Sequence, residues 1–331
     1  MRYCKLLIVL FVLSALLLGC GRNNSTGATG STTRPDVKGK PISVVATVFP
    51  AYDWARQIIG EDNERVALTL LLDKGADFHS YQPTVEDIYK ISTCDLFIYV
   101  GGESDKWVPD ALAQATNKDM TVLCLLDALG SAVREEEAPE GAEAHEEEEA
   151  EGPSYDEHIW LSLRNARTLC GSIREAMIGL DDDGGKTYWP NFKAYDEKLN
   201  ELEHAYAETI AAAPRRILLF ADRFPFLYLA KDYDLTCFAA FSGCSAESEA
   251  SFETVNFLVN KLDELELSHI LVLEGGDTRL AETIIANSRA KSAQVLSINS
   301  LQSVTARMID EGVTYLGVME QNLEVLKQAL N

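Results

Sequence analysis

The chain has 331 residues, 52 acidic against 29 basic side chains, a formal net charge of −23, and 47% hydrophobic residues. This length and apolar content suffice for two globular domains with proper cores, while the negative charge excludes a general electrostatic affinity for nucleic acid. Seven cysteines without paired metal-type spacing argue against a disulfide framework or a cysteine zinc site.

Arg2 and Lys5 precede an apolar run, Leu6 to Leu18, that is short for a bilayer span and reads as a signal segment. Leu17-Leu18-Gly19-Cys20 resembles the bacterial lipoprotein cleavage box, so residues 1–20 are expected to be a lipoprotein signal with Cys20 as the lipidated residue. A polar, Gly/Ser/Thr-rich tether follows over 21–40. Acyl chains contribute about 0.8 kcal/mol per buried methylene, so two on one cysteine anchor stably. The expected location is the cell membrane, lipid-anchored and facing the extracytoplasmic side.

Ile42–Val48, Val66–Leu72, Asp95–Val100 and Thr121–Leu126 are continuous apolar runs, the pattern of parallel strands covered on both faces. Tyr52–Ile59 and Val85–Ser92 read as crossover helices. Thr84 caps the latter with Asp87 three positions on, and Val85, Ile88 and Ile91 form its apolar stripe. From Glu135 to Glu151 the chain reads EEEAPEGAEAHEEEEAE, a segment too acidic to offset its ordering entropy and therefore expected to be a solvated, cation-attracting loop. Between Trp189 and Ala213, Phe192, Tyr195, Leu199, Leu202, Tyr206 and Ile210 recur at helical spacing with no glycine, predicting one long strut with Pro190 in its first turn. Arg216–Phe220, Thr236–Phe241, Ser268–Leu273 and Gln294–Ile298 read as a second set of strands. Phe252–Leu265, Leu280–Ser288 and Tyr315–Leu330 read as helices, the first with Phe252, Val255, Leu258, Val259, Leu262 and Leu265 inward.

The fold class is α/β, two lobes with mostly parallel sheets joined by one long rigid helix. The expected divisions are a first lobe over 41–186 including the acidic loop 134–155, the linking helix over 187–213, and a second lobe over 214–331.

His79 lies on the loop between the second strand and the helix capped by Thr84, where open α/β sheets hold ligands. His158 has a similar position, ahead of a helix that Ser162 can cap. Imidazole nitrogen ligates zinc and similar ions, and two such loops can converge on one ion. His204 reads as a solvated helix-face residue and His269 as structural. His145, inside the glutamate run, stands as an acidic-loop residue that hands ions onward or is merely solvated. Gly101-Gly102 and Gly275-Gly276 lack GxGxxG spacing and read as turns. Cys237 and Cys244 are able to bridge in an oxidising compartment, and the sequence leaves that open.

FHSYQPTVEDIYKISTCDLFIYVGG, the acidic loop followed by DEHIWLS, the long helix and VLEGGD together resemble the metal-binding (zinc/manganese uptake) substrate-binding lipoproteins of ABC transporters. The resemblance covers essentially all of the chain after its leader. It implies an ion between the two lobes, with His79 and His158 as first-lobe ligands. A third histidine or a carboxylate comes from the second lobe in such proteins, and a fourth ligand near the C-terminus is usually an acid. This chain departs at both places. Asp222, in Phe220-Ala221-Asp222-Arg223, stands for the third ligand, and Asn299, in Ser297-Ile298-Asn299-Ser300, for the fourth. Glu247, Glu249 and Glu274 are further carboxylates able to reach the cleft.

The resemblance implies a receptor, not an enzyme, that captures Zn2+ for an ABC transporter permease. It is anchored to the membrane by lipid alone, has no nucleic-acid partner, and is expected to be a monomer. Mn2+ or iron is the alternative cargo within the same family, since two imidazoles with oxygen ligands suit manganese as well. A surface adhesin and a secreted zinc hydrolase are the alternatives from other classes. The hydrolase lacks HExxH, a GxSxG elbow and a fixed general base.

Overall fold

The computed structural model describes residues 40–60, 63–142, 154–243 and 249–331. The leader, residues 21–39 of the tether, Cys20, His145, Cys244 and Glu247 lie outside these residues.

The first lobe runs β1 (Ile42–Ala46), α1 (Phe49–Ile59), β2 (Val66–Leu70), α2 (Val85–Thr93), β3 (Leu96–Tyr99), α3 (Val108–Ala113), β4 (Thr121–Cys124) and α4 (Leu125–Leu129). All its strands pair in parallel, in the order β2-β1-β3-β4. Val44, Val45, Ala46, Leu96, Phe97 and Ile98 are almost wholly buried, which is why these strands read as unbroken apolar runs. After α5 (Leu163–Leu180) and α6 (Gly185–Ala212) comes the second lobe. It comprises β5 (Ile217–Phe224), α7 (Leu227–Tyr233), β6 (Thr236–Ser242), α8 (Phe252–Glu264), β7 (His269–Leu273), α9 (Arg279–Asn287), β8 (Gln294–Ile298), α10 (Ala306–Asp310) and α11 (Tyr315–Ala329). Its parallel order is β6-β5-β7-β8. Both sheets therefore place their first strand between the second and third, the reversal of winding beyond whose carboxyl edge open α/β sheets hold ligands.

Helix α6 has 28 residues, roughly 42 Å of rise. It is fastened at both ends. Asn191 Nδ2 donates to the Ile58 carbonyl of the first lobe at 3.1 Å, and the Tyr206 hydroxyl donates to the Met319 carbonyl on α11 at 2.6 Å. Because the helix starts at Gly185, Pro190 lies inside it and not in its first turn. Two predicted apolar stripes are narrower than expected. Ile91 of α2 is buried but Val85 is 89% exposed, and on α8 Leu258, Val259 and Leu262 are buried while Phe252 is 75% exposed. Each exposed residue is the first of its helix, next to a capping side chain that faces outward, Thr84 and Ser251 respectively.

The start of the acidic insertion is not a free solvated loop. Glu135 bridges Tyr155 in antiparallel fashion, and Glu140 pairs in parallel with Phe238 on β6, the edge strand of the second sheet. Glu137 meets Lys231 at 2.5 Å and Glu140 meets Lys261 at 3.1 Å. An edge strand presents unpaired backbone groups, and this first-lobe segment covers some of them. Residues 143–153 lie outside the described part. No helix among the described residues is long and apolar enough to cross a membrane.

Candidate metal site

Asp77 opens the 3-10 turn Phe78–Ser80, its Oδ1 accepting the His79 amide at 2.9 Å. That cap fixes the backbone from which the His79 ring projects. His158 precedes a second 3-10 turn, Ile159–Leu161, and its own amide donates to Asp156 Oδ1 at 2.8 Å. Ser162 then caps α5, its hydroxyl accepting the Asn165 amide at 3.1 Å. Trp160 packs against both sides of the site, edge-on to Phe78 at 5.8 Å and to His158 at 5.6 Å between ring centroids.

These supports bring the two imidazoles together. His79 Nε2 and His158 Nε2 are 2.9 Å apart, with ring centroids at 4.9 Å. The opposite ring nitrogens decide what those Nε2 atoms are. The Ser104 hydroxyl donates its single hydrogen to Glu157 Oε2 and lies 2.9 Å from His79 Nδ1. It must therefore accept from a protonated Nδ1, leaving His79 Nε2 as a bare lone pair. His158 Nδ1 is 3.1 Å from Asp156 Oδ1, an acceptor, so it too carries the proton and leaves Nε2 bare. Two lone pairs facing one another cannot hydrogen-bond. A proton or a metal cation between them would satisfy both.

Charge around the pair fits that reading. The side chains of Asp156 and Glu157 are almost completely buried. Burial pushes the Glu157 carboxyl up, but hydrogen bonds from His79 and Ser104 outweigh it and hold the group below the usual carboxylate range. Burial also lowers the His79 pKa, and the neighbouring His158 adds to the effect. Glu157 owes its position partly to Gly102, at φ +82°, where a Cβ would overlap its carboxylate. Gly243, after β6, brings the second lobe against the site, since a Cβ there would stand 3.1 Å from His158 Cε1.

The second-lobe candidates are not gathered with the histidines. Among the described residues, no three His, Cys, Asp or Glu side chains form a metal-holding group. Asp222 accepts the Arg223 amide at 2.8 Å and the Leu273 amide at 3.0 Å. Glu274 takes both the amide and the hydroxyl of Ser300 at 2.8 Å. Asn299 Oδ1 accepts the Leu301 amide at 2.8 Å, an Asx turn that occupies the oxygen it was expected to offer. Burial raises the Glu274 pKa, and the nearby Asp222 charge raises it further. Glu249 lies at the surface. His204 is exposed and 3.3 Å from Asn200 Nδ2, and His269 meets the Ser268 hydroxyl, so neither takes part.

The family of zinc-uptake complex component A periplasmic proteins (ZnuA) matches residues 44–329. The chain belongs to that family. The zinc-binding lipoprotein AdcA of Streptococcus pneumoniae is 30% identical over 291 residues, covering 87% of this chain and 55% of AdcA. The chain thus spans about half the length of its AdcA relatives. The high-affinity zinc uptake system protein ZnuA of Bacillus subtilis is 29% identical over 329 residues, 97% of each chain. Among solved structures, the Zn(II)-bound ZnuA-like domain of pneumococcal AdcA superposes with a TM-score of 0.68 at 26% identity, covering 88% of this chain and 99% of that one. The metal-dependent lipoprotein YcdH of Bacillus subtilis gives a TM-score of 0.71 at 26% identity over 88% and 100%.

Several supports of the pair were not singled out from sequence. Asp156 and Glu157 stand in the DEHIWLS motif, where the sequence reading assigns roles only to His158 and Ser162. Gly102 was read as a plain turn. Ser104 carries no local signal at all, because its partners lie 25 and 53 residues away.

Proposed function

We propose that this ZnuA-family chain is a receptor that captures Zn2+ and passes it to an ABC-type importer in the membrane. The observation that carries the reading is the pair of bare Nε2 atoms 2.9 Å apart. Two ligands of a tetrahedral zinc at 2.0–2.1 Å stand about 3.3 Å from one another, so a small outward movement of either ring admits the ion. Neutral imidazole, fixed through its Nδ1 hydrogen by an oxygen acceptor, is the arrangement in which histidine serves zinc. AdcA, a zinc-binding lipoprotein, and ZnuA, a high-affinity zinc uptake system protein, support the same cargo.

The remaining donors are assigned to the second lobe, where Asp222 and Glu274 exchange their backbone and serine hydrogen bonds for the ion. Mutual repulsion between those two carboxyls favours a cation near them. Asn299 contributes only after its Asx turn opens. Cys20 carries the lipid in this reading, and the receptor acts as a monomer facing away from the cytoplasm. Capture, not catalysis, is the proposed activity.

Zinc titration of the protein without its leader, against a chromophoric competitor, tests the assignment. His79→Ala and His158→Ala are each expected to weaken binding by at least a hundredfold, and wild-type affinity in both would remove the basis of the proposal.

A further inference from the structure

The segment that carries His79 is held from the second lobe. The Ala306 amide donates to the Asp73 carbonyl at 2.7 Å, and Lys74 bridges Thr305 in antiparallel fashion. Two residues before the histidine, Asp77 divides its carboxylate. Oδ1 accepts the His79 amide at 2.9 Å, and Oδ2 accepts Arg223 Nη2 at 2.8 Å. Arg223 belongs to β5 of the opposite lobe, 146 residues away. It follows Asp222 directly, at an irregularity in the β5–β6 pairing between Phe220 and Arg223. Such an irregularity re-aims a side chain that regular pairing would send elsewhere.

We propose that Arg223 is a positioning residue for metal capture, linking lobe approach to the placement of His79 through Asp77. One carboxylate joins the two events. When the lobes meet, the guanidinium fixes Asp77, and Asp77 fixes the amide that orients the imidazole. When they part, Asp77 loses its cross-lobe partner and the turn Phe78–Ser80 loses an anchor. Arg223 itself touches no metal in this scheme. The inference rests on His79 being a ligand, as proposed above.

The experiment uses the full chain after its leader and reads zinc affinity together with hydrogen exchange of residues 74–80. The variants are Arg223→Ala, Arg223→Lys, Asp77→Asn and the double Arg223→Ala/Asp77→Asn, with His79→Ala beside them. Asparagine at 77 still accepts the His79 amide but offers Arg223 no charge. Arg223→Ala and Asp77→Asn are each expected to weaken zinc binding about tenfold, as for other groups that orient a ligand. The double variant should be no weaker than the worse single one, and lysine at 223 should restore most of the loss. Exchange over 74–80 should rise in Arg223→Ala. Multiplicative losses in the double variant, or wild-type affinity in Arg223→Ala while His79→Ala loses the ion, overturn the link. Should His79→Ala retain affinity, the ligand assignment fails, and exchange then decides the link alone. Unchanged exchange over 74–80 overturns it.

Discussion

Glu157 receives both the backbone amide and the hydroxyl of Ser104, 53 residues earlier in the chain. That pair of hydrogen bonds settles which way the serine hydrogen points, and so which nitrogen of His79 is left unprotonated for the proposed ion. Ser104→Ala and Glu157→Gln are expected to lower zinc affinity ten- to a hundredfold, the range for groups that orient a metal ligand. Circular dichroism should show an unchanged fold. Full affinity in both variants would mean that His79 finds its tautomer without them.

Gly102 gives a steric check on the same network. Its φ of +82° lies where an L side chain is strained, and a Cβ there meets the Glu157 carboxylate. Gly102→Ala should cost about 1–3 kcal/mol in urea unfolding, typical of a forced left-handed residue. It should also weaken zinc binding, because Glu157 must move. A stability loss with no loss of affinity would separate Glu157 from the site.

Asp105 predicts a pH dependence of stability. Its Oδ2 accepts the Val100 and Gly101 amides at 2.9 Å, while Oδ1 is buried without a hydrogen-bond partner. Burial raises its pKa to about 7, with the Glu157 charge adding to the effect. A carboxyl whose folded pKa lies above the unfolded value binds more protons in the native state. Its stabilising contribution is therefore full below pH 3.8 and is lost as pH rises through about 7. Over that window wild type should lose about 4 kcal/mol relative to Asp105→Asn. Parallel stability-versus-pH curves for the two proteins would contradict the burial argument.

His79 predicts when acid competes with the metal. Burial and His158 hold its pKa below 6.5, so the ring stays neutral into mildly acidic solution, the state the proposed ligation requires. In the metal-free protein, the Cε1 proton resonance of His79 should titrate with a midpoint below 6.5. A midpoint at or above that value is the contrary result.

Much of the fold was open to reading along the chain. Gln294–Ile298 was predicted to the residue, and the Thr84–Asp87 capping box is present as expected. The reason is that parallel strands and helix starts are recorded in contiguous residues, through two-sided burial and local side-chain to backbone bonds. Helix starts without such a signal were missed. Gly185 begins α6 before Pro190 with no side-chain cap. The candidate site divides along the same line. His79 and His158 each sit just ahead of a capped helix, which the chain records locally, and the family resemblance pairs them.

What the linear order could not decide is which oxygens are already taken. Asp222 and Glu274 stand out by their chemistry, and their hydrogen bonds to Leu273 and Ser300, 51 and 26 residues away, depend on how the second-lobe loops pack. The tautomer of His79, set by Ser104 25 residues on, and the Asp77–Arg223 pair 146 residues apart likewise arise only when distant segments meet. Sequence fixes residue type and local conformation because both act over a few residues. Hydrogen-bond partners across a cleft are a property of closed tertiary geometry, and only the folded molecule assigns them.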